Sequence, residues 1–467
     1  MSSLIPIYIY HTNDLHSNLQ QWPSAVYYIN ARRTFHKKKN ETALFFDLGD
    51  HADRVHPITE ATRGKGNVDL LNEAGIHHVT IGNNEGITLS KKELESLYDK
   101  AQFKVLLANL FDQKGNRRPS WAEPFDIIET PEGVKIGLIG LTVPFYPFYK
   151  ELGWDIKDPL EILPGLLEEV KKQSDIVVLL SHLGYPQDEE LAEQFDGIDV
   201  ILGAHTHHLL KTSILINDTL VAQCGKNSYY VGQIKLLYDK EAKKVVKKSG
   251  AAEDVSHEPP ALETKQLLER LEEKANKILE EPIAVIPEPL PISWTAPSAF
   301  ADMLAEGLKD WCNADISMLN SGILLGSLES GNVTRKELHY LCPHPINPCL
   351  VHVKGSVLKE TIAAAFTEKM IHLPLKGLGF RGEKLGRMAF AGMTVEVDES
   401  TGDDPRILNI SIQDEPLDPK KIYKLATVDM FTFGPLYPGL SQSSKKKYFM
   451  PEMMRDVLAN MLKKHYA

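Results

Sequence analysis

The first half of the chain repeats one pattern: a short apolar run rich in β-formers, a polar turn, and often a segment with helical spacing. The apolar runs cover 5–10, 43–48, 77–82, 103–109, 135–141, 175–180 and 199–203. Helical spacing occurs at 89–101 and 160–173. Strands that alternate with helices and are apolar throughout indicate a layered α/β fold whose strands are buried on both faces. The segment 232–248 predicts a closing hairpin.

A change of pattern near the middle of the chain predicts a domain boundary. Residues 261–280 have the apolar spacing of an amphipathic helix, and a proline-rich segment that resists helix formation follows. The remainder mixes strand-like and helix-like segments. A chain of 467 residues also exceeds the usual size of a single core. We therefore predict one domain over 1–255, a linker helix and proline-rich segment over 256–290, and a mixed α+β domain over 291–467.

Composition and charge narrow the class of protein. The net charge of -11 argues against a nucleic-acid partner, because a phosphate backbone requires a basic surface. A small phosphorylated substrate remains compatible, since bound metal cations can supply local positive charge. The sequence shows no secretory signal and no apolar stretch long enough for a bilayer, so we expect no membrane partner. It gives no indication of the oligomeric state.

The cysteines indicate a reducing compartment. Four of them are scattered along the chain without the spacing of a zinc ribbon: Cys224, Cys312, Cys342 and Cys349. We expect reduced thiols in a cytoplasmic protein.

Metal-capable side chains follow five of the predicted strands, just past their carboxyl ends. In α/β sheets this edge is where ligand sites form. Each residue alone is weak support, because single histidines and Gly-Asp turns are common in loops. Their convergence in this order predicts a metal centre made by Asp14, His16, Asp50, Asn83, His182, His205 and His207.

The types of ligand indicate the metals and the chemistry. Three oxygen donors and four imidazoles without a thiolate suit Mn²⁺, Zn²⁺, Fe²⁺ or Co²⁺. Seven residues are too many for one ion and fit two ions that share a carboxylate. Two ions about 3.5–4 Å apart can hold a hydroxide between them and bind a phosphoryl oxygen for in-line attack. The predicted chemistry is phosphoester hydrolysis.

These motifs resemble a known family. Asp-x-His, Gly-Asp, Gly-Asn-x-Glu, a lone histidine and Gly-x-His-x-His are similar to those of the calcineurin-like metallophosphoesterases. HTNDLH and the C-terminal segments resemble the 5′-nucleotidase / UDP-sugar hydrolase / 2′,3′-cyclic phosphodiesterase family, and the chain looks like its cytoplasmic Bacillus-type members, with GNNE in place of GNHE. The resemblance covers nearly the whole chain.

The resemblance implies a fold and an arrangement of ligands. The fold would be an α/β/β/α sandwich followed by a mixed α+β C-terminal domain that binds a small-molecule nucleotide substrate. One ion would be held by Asp14, His16, Asp50 and His207. The other would be held by Asp50, Asn83, His182 and His205, so that Asp50 would bridge the two.

The sequence departs from the family pattern next to the predicted metal ligands. Asn84 and Ile87 replace the histidine and aspartate that stabilise the transition state in the family. As the candidate catalytic residue, Asn84 can donate a hydrogen bond to a phosphoryl oxygen but cannot act as a general acid. His51 or His56 could replace the missing acid and Arg54 could contact phosphate, although such loop residues are more often simply polar.

The C-terminal domain departs from the pattern as well. LNSG at 319–322 resembles the family's substrate loop, so Asn320 and Gly322 are candidate substrate contacts, but the arginine that normally ends the loop is missing. His344 is a candidate for one side of the base clamp, and Met430, Phe431 or Phe433 for the other, with Phe431 our choice.

Two functions are compatible with these departures. One is an active nucleotide phosphoesterase with altered specificity, and the other is a weakened metal- and nucleotide-binding sensor or scaffold. We favour the first, because all seven ligands are present.

Overall fold

A computed structural model describes residues 4–398, 406–434 and 436–466 of the chain. These residues form two compact units, Met1–Ala275 and Asn276–Ala467, and the division falls within the helix Leu262–Leu279. No helix in the described ranges is both long enough and apolar enough to cross a membrane.

The N-terminal unit is built on two six-stranded sheets with parallel centres; the first has antiparallel strands at one edge and the second at both. The strands of the first sheet, in spatial order, are Lys244–Asp254, Tyr230–Asp239, Leu4–Thr12, Thr42–Asp47, His78–Val79 and Lys104–Val105. Those of the second are Ile214–Ile216, Thr219–Ala222, Val200–Gly203, Ile176–His182, Lys135–Thr142 and Phe125–Glu129. A separate pair consists of Leu110–Asp112 and Trp154–Ile156.

The burial of one central strand explains the layers. Along Ile176–His182, Ile176, Val178 and Leu180 face a core shared with the first sheet. Val177 and Leu179 between them face a second core, which includes residues of the helix Pro159–Lys171. Because successive side chains point to opposite faces, a strand with apolar residues at every position must be covered on both. The predicted sandwich of two sheets with outer helices is confirmed.

The helices of this unit begin where local sequence supplies a cap. Asp158 accepts a hydrogen bond from the Leu160 amide at the start of one helix, and Ser90 makes a reciprocal pair with Glu93 at the start of another. The helices are Trp22–Lys39, Pro57–Thr62, Lys65–Glu73, Asn83–Thr88, Lys91–Leu97, Tyr146–Glu151, Pro159–Lys171, Tyr185–Gln194 and Leu262–Leu279.

Two predicted strands are shorter than their apolar runs. Only His78–Val79 and Lys104–Val105 form ladders within 77–82 and 103–109. After Val79 the chain leaves the sheet, and residues 80–83 turn into the helix Asn83–Thr88. The predicted hairpin is confirmed, with Tyr230–Asp239 antiparallel to Lys244–Asp254.

The C-terminal unit is mixed α+β, as predicted. Its main sheet has the order Met388–Ala391, Ile316–Asn320, Ile422–Val428, Pro348–Lys354 and Lys446–Tyr448. Smaller sheets pair Pro282–Ile286 with Gly331–Thr334, and Met393–Asp398 with Arg406–Ile412 and Glu415–Pro416. The helices are Ala299–Cys312, Arg335–Leu341, Gly355–Ala365, Glu368–Ile371, Pro438–Ser441 and Met454–Tyr466, with 3-10 turns at Ser321–Ile323 and Asp429–Thr432.

Candidate metal centre

Two loops that follow parallel strands are joined by backbone hydrogen bonds. The amide of Asp14 donates to the carbonyl of Gly49 at 3.1 Å, and the amide of His16 donates to that of Asp50 at 2.8 Å. The strands before them, Leu4–Thr12 and Thr42–Asp47, are parallel neighbours and therefore end at the same edge. Their carboxyl ends bring the first two predicted motifs together.

The backbone is strained at most of the predicted ligands. Left-handed φ values are uncommon for residues other than glycine and concentrate at functional sites, where surrounding contacts hold them. Five of the seven predicted ligands have such values: Asp14 at 50°, His16 at 47°, Asp50 at 49°, His205 at 74° and His207 at 58°. This clustering is independent of side-chain chemistry and marks the same loops.

The predicted ligand atoms form two overlapping groups. Asp14, His16 and His207 make one, and Asp14, Asp50 and His182 the other; within each group the ligand atoms lie within 4.8 Å of one another. The Oδ2 of Asp50 is 3.8 Å from the Nε2 of His16 and 3.6 Å from the Nε2 of His182. Both carboxylates therefore face both groups, as a shared two-ion centre requires.

Two buried side-chain atoms without hydrogen-bond partners indicate whether these residues fit a metal ion. The Nδ1 of His182 contacts the carbonyl of Leu48 at 2.7 Å. A proton on Nδ1 donates to that carbonyl, which leaves the lone pair on Nε2. This Nε2 and the Oδ1 of Asn83 are buried and have no hydrogen-bond partner among the described residues. Unpaired buried acceptors are costly, and a cation would satisfy both, so the donor set fits divalent metal ions.

The electrostatics of this centre favour a cation. Burial alone would lower the pKa of His182, but the carboxylates of Asp50 and Asp14 outweigh it and raise that pKa to about 10, so that without a metal ion a second proton on Nε2 takes the place of the cation. Burial likewise opposes the charge on His16, while Asp53, Asp50 and Asp14 raise its pKa to about 9. The carboxylates thus attract positive charge to the position that a metal ion would take. His205 is different: burial lowers its pKa to about 4 and leaves a neutral ring.

Glu85 organises the centre, although from the sequence it had no assigned role beyond its place in the Gly-Asn-x-Glu motif. Its carboxylate accepts hydrogen bonds from the backbone amides of Asp50, Ala52 and Gly82 at 2.8–2.9 Å. These bonds join the loop that carries Asp50 to the loop that carries Asn83. Burial and the nearby Asp50 carboxylate raise the pKa of Glu85 to about 7.

Comparisons with known proteins identify the family. Residues 7–209 match the family model described as calcineurin-like phosphoesterase, and residues 282–434 match that of the 5′-nucleotidase C-terminal domain. The chain is 45% identical over 452 residues to the uncharacterized metallophosphoesterase YunD of Bacillus subtilis, which covers 97% of this chain and 98% of YunD. The chain belongs to the metallophosphoesterases. It is therefore a metal-dependent phosphoric ester hydrolase of the 5′-nucleotidase type.

Solved structures share the fold of this metallophosphoesterase. The NAD nucleotidase of Haemophilus influenzae superposes with a TM-score of 0.69 at 17% identity, over 99% of this chain and 97% of that one. A putative 5′-nucleotidase of Staphylococcus aureus gives 0.67 at 20% identity, with the same coverage. At these identities the likeness concerns the fold alone.

The replacement acids considered from the sequence have structural roles in this metallophosphoesterase. His51 is buried, with its Nδ1 at 3.2 Å from the side-chain nitrogen of Asn67. His56 caps a helix by accepting a hydrogen bond from the Ile58 amide. Arg54 pairs with Glu60 and donates to the carbonyl of Thr88, so its guanidinium already has partners within the protein.

Asn84 lies beside a predicted ligand. Its backbone amide donates to the Oδ1 of Asp50 at 2.7 Å, and its side-chain nitrogen is 2.9 Å from the Nδ1 of His16. The residue is 9% exposed.

The candidate substrate contacts in the C-terminal unit are buried. Asn320 donates to the carbonyl of Leu385, and the backbone at Gly322 lies against the Lys384 carbonyl, 2.2 Å from where a Cβ would stand. His344 contacts the Ile323 carbonyl and accepts from the Arg381 amide. Phe431 packs edge to face on Tyr437. These contacts hold the four residues within the C-terminal unit, and their role in substrate binding stays a prediction.

Proposed function

We propose that this metallophosphoesterase uses a centre of two divalent ions to hydrolyse nucleotides or nucleotide derivatives. The ions are Mn²⁺, Zn²⁺, Fe²⁺ or Co²⁺, according to the donor set of oxygens and imidazoles without thiolate. The observation that carries the proposal is the pair of overlapping ligand groups around Asp14 and Asp50.

Each residue has a role in this proposal. Asp14, His16, Asp50 and His207 hold one ion, and Asp50, Asn83, His182 and His205 hold the other. When bound, such ions activate water and neutralise charge on a phosphoryl group. Asn84 donates a hydrogen bond to a phosphoryl oxygen from the edge of the centre. It cannot supply a proton, so substrates with good leaving groups are favoured.

Support for nucleotides comes from relatives. A Haemophilus influenzae relative named NAD 5′-nucleotidase is 28% identical over 223 residues. We propose a small-molecule nucleotide substrate and no nucleic-acid partner, consistent with the net charge of -11. The four cysteines are free and buried, so we also propose a reducing, cytoplasmic location.

A turnover assay tests the proposal. The full chain is loaded with Mn²⁺, Co²⁺ or Zn²⁺ and given AMP, UMP, UDP-glucose, a 2′,3′-cyclic nucleotide and a chromogenic phosphodiester. We expect metal-dependent release of phosphate or nucleotide from at least one of them. Asp50→Asn should lower that rate by at least about a hundredfold, as loss of charge stabilisation in other active sites does.

The matched control is Asp126→Asn, because Asp126 pairs with Lys104 and His78 on the strand Phe125–Glu129 and touches no predicted ligand. It should retain the wild-type rate. Two bound metals without turnover on any substrate would reject the hydrolase. An intact nucleotide bound beside those metals would instead support the sensor or scaffold.

A further inference from the structure

The ring of His16 has different neighbours at its two nitrogens. Its Nε2 faces the metal centre, 3.8 Å from the Oδ1 of Asp14 and 2.9 Å from the Nε2 of His207. Its Nδ1 faces away from that centre, 3.4 Å from the Oδ2 of Asp53 and 2.9 Å from the side-chain nitrogen of Asn84. The two groups at Nδ1 have opposite hydrogen-bonding character.

Metal binding requires the neutral imidazole, which carries one proton, and the place of that proton decides whether the Nε2 of His16 can bind a metal. Ligation through Nε2 requires a lone pair there, so the proton must be on Nδ1 and needs an acceptor. The carboxylate of Asp53 is such an acceptor. At His182 the Leu48 carbonyl does the same for Nδ1, at 2.7 Å.

Asp53 is held in position for this contact. The residue is 2% exposed, its Oδ1 accepts a hydrogen bond from the Val55 amide at 2.9 Å, and its own amide donates to the Oγ of Ser17 at 2.8 Å. These bonds fix the carboxylate and direct the remaining oxygen, Oδ2, to His16.

Asn84 stabilises the other tautomer of His16. An amide nitrogen can only donate, so its contact with Nδ1 requires a lone pair there and places the proton on Nε2. In that tautomer His16 cannot bind a metal. The backbone of Asn84 is anchored to Asp50, so the amide stays close to the ring.

We infer that Asp53 is a positioning residue that holds His16 in its metal-binding tautomer, against a competing tautomer stabilised by Asn84. This inference rests on the proposed metal centre. When the Nδ1 proton is donated to Asp53, the side-chain nitrogen of Asn84 loses its acceptor and can turn to an anionic oxygen.

Titration of the metal-free full chain with Co²⁺ tests the inference, with the affinity and the visible absorption of the bound ions as readouts. Asp53→Asn should weaken the binding of one ion by about 10–100-fold and change its absorption, as loss of an outer carboxylate does at other metal sites. Asp53→Glu, which keeps the acceptor, should recover part of the affinity. Asn84→Ala removes only the competing donor, so its affinity should be unchanged or tighter.

The control for loss of a buried carboxylate is Asp188→Asn. Asp188 is fully buried and bonds to Ser181 and Gln223 rather than to a predicted ligand. It should bind Co²⁺ as the wild type does, and thermal unfolding checks that each variant is folded. If Asp53→Asn does not fold, Asn84→Ala decides alone, and weaker binding overturns the inference.

The remaining outcomes separate this inference from the proposed function. Wild-type affinity in Asp53→Asn, or equal weakening in Asp53→Asn and Asn84→Ala, overturns the role of Asp53 and leaves the metal centre standing. A wild-type chain that binds no Co²⁺ overturns the proposed function and this inference with it.

Discussion

The packing of Gly82 against Asp50 gives a stringent prediction. A Cβ at Gly82 would stand 2.0 Å from the Oδ1 of Asp50 and 2.5 Å from both its Cγ and its backbone nitrogen. The backbone there is extended, with φ -94° and ψ -175°, which alanine adopts freely. Gly82→Ala therefore introduces a steric conflict without backbone strain, and the atom that must move is a predicted metal ligand.

The size of the expected effect of Gly82→Ala follows from this steric overlap. Relief of the contact requires a shift of about 1 Å or more, and a misplacement of about 1 Å in an active site can cost 10²-fold in rate. Overpacking of this kind also destabilises by about 1–3 kcal/mol. We expect Gly82→Ala to lose bound metal and at least about 99% of its turnover. Metal content by mass spectrometry, turnover and thermal unfolding measure the three effects.

A second glycine supplies the control. Gly165 lies in the helix Pro159–Lys171 and has no atom within 4 Å of its would-be Cβ. Gly165→Ala should keep metal and turnover and gain up to about 1 kcal/mol, since alanine is the better helix former. Full metal content and wild-type turnover in Gly82→Ala would refute the close packing of the two loops.

Three further predictions concern burial. Burial raises the pKa of Asp429 to about 7. This folded value lies above that of the unfolded chain, so the folded state favours the protonated carboxyl. The contribution of Asp429 to the free energy of unfolding is therefore complete below about pH 4. It falls as pH rises to 7, by at most about 4 kcal/mol. Asp429→Asn should flatten this dependence in denaturant unfolding at pH 5 and 7, and an unchanged slope contradicts it. His344→Ala should destabilise the C-terminal unit by about 2–4 kcal/mol, because the ring contacts two backbone groups and stacks on Phe380; unaltered unfolding with a changed KM would contradict this and support the predicted role in substrate binding. All four cysteines are buried, so a thiol reagent should label none before unfolding, and fast labelling of the native chain would show that one of them is accessible.

The apolar pattern of the sequence predicted the layered half well, for a physical reason. Strands such as Ile176–His182 are covered on both faces, so nearly every position is apolar and the run is visible. The apolar run at 77–82 predicted a longer strand than the structure has, because its last residues are buried without belonging to a β-ladder. Burial and strand pairing are separate requirements, and the sequence pattern reports only the first.

The predicted ligands could be chosen from the sequence because they stand at or past the carboxyl ends of strands. Asp14, His16, Asp50 and Asn83 do so in the first sheet, and His182, His205 and His207 in the second. Glu85 and Asp53 could not be assigned from sequence, since their roles consist of hydrogen bonds to partners distant in the chain. Asp53 meets His16 across 37 positions, and only the folded loops show that contact. The burial of His344 and Phe431 is likewise visible only in the folded chain.

The number of metal ions per chain tests the central claim most directly. The purified full chain is stripped with a chelator, reloaded with Mn²⁺, Zn²⁺ or Co²⁺, and its bound metal is counted by mass spectrometry beside Asp50→Asn. We expect two divalent ions in the wild type and at most one in the variant, because Asp50 faces both ligand groups. One ion or none in the saturated wild type, or two in Asp50→Asn, would contradict the shared two-ion centre.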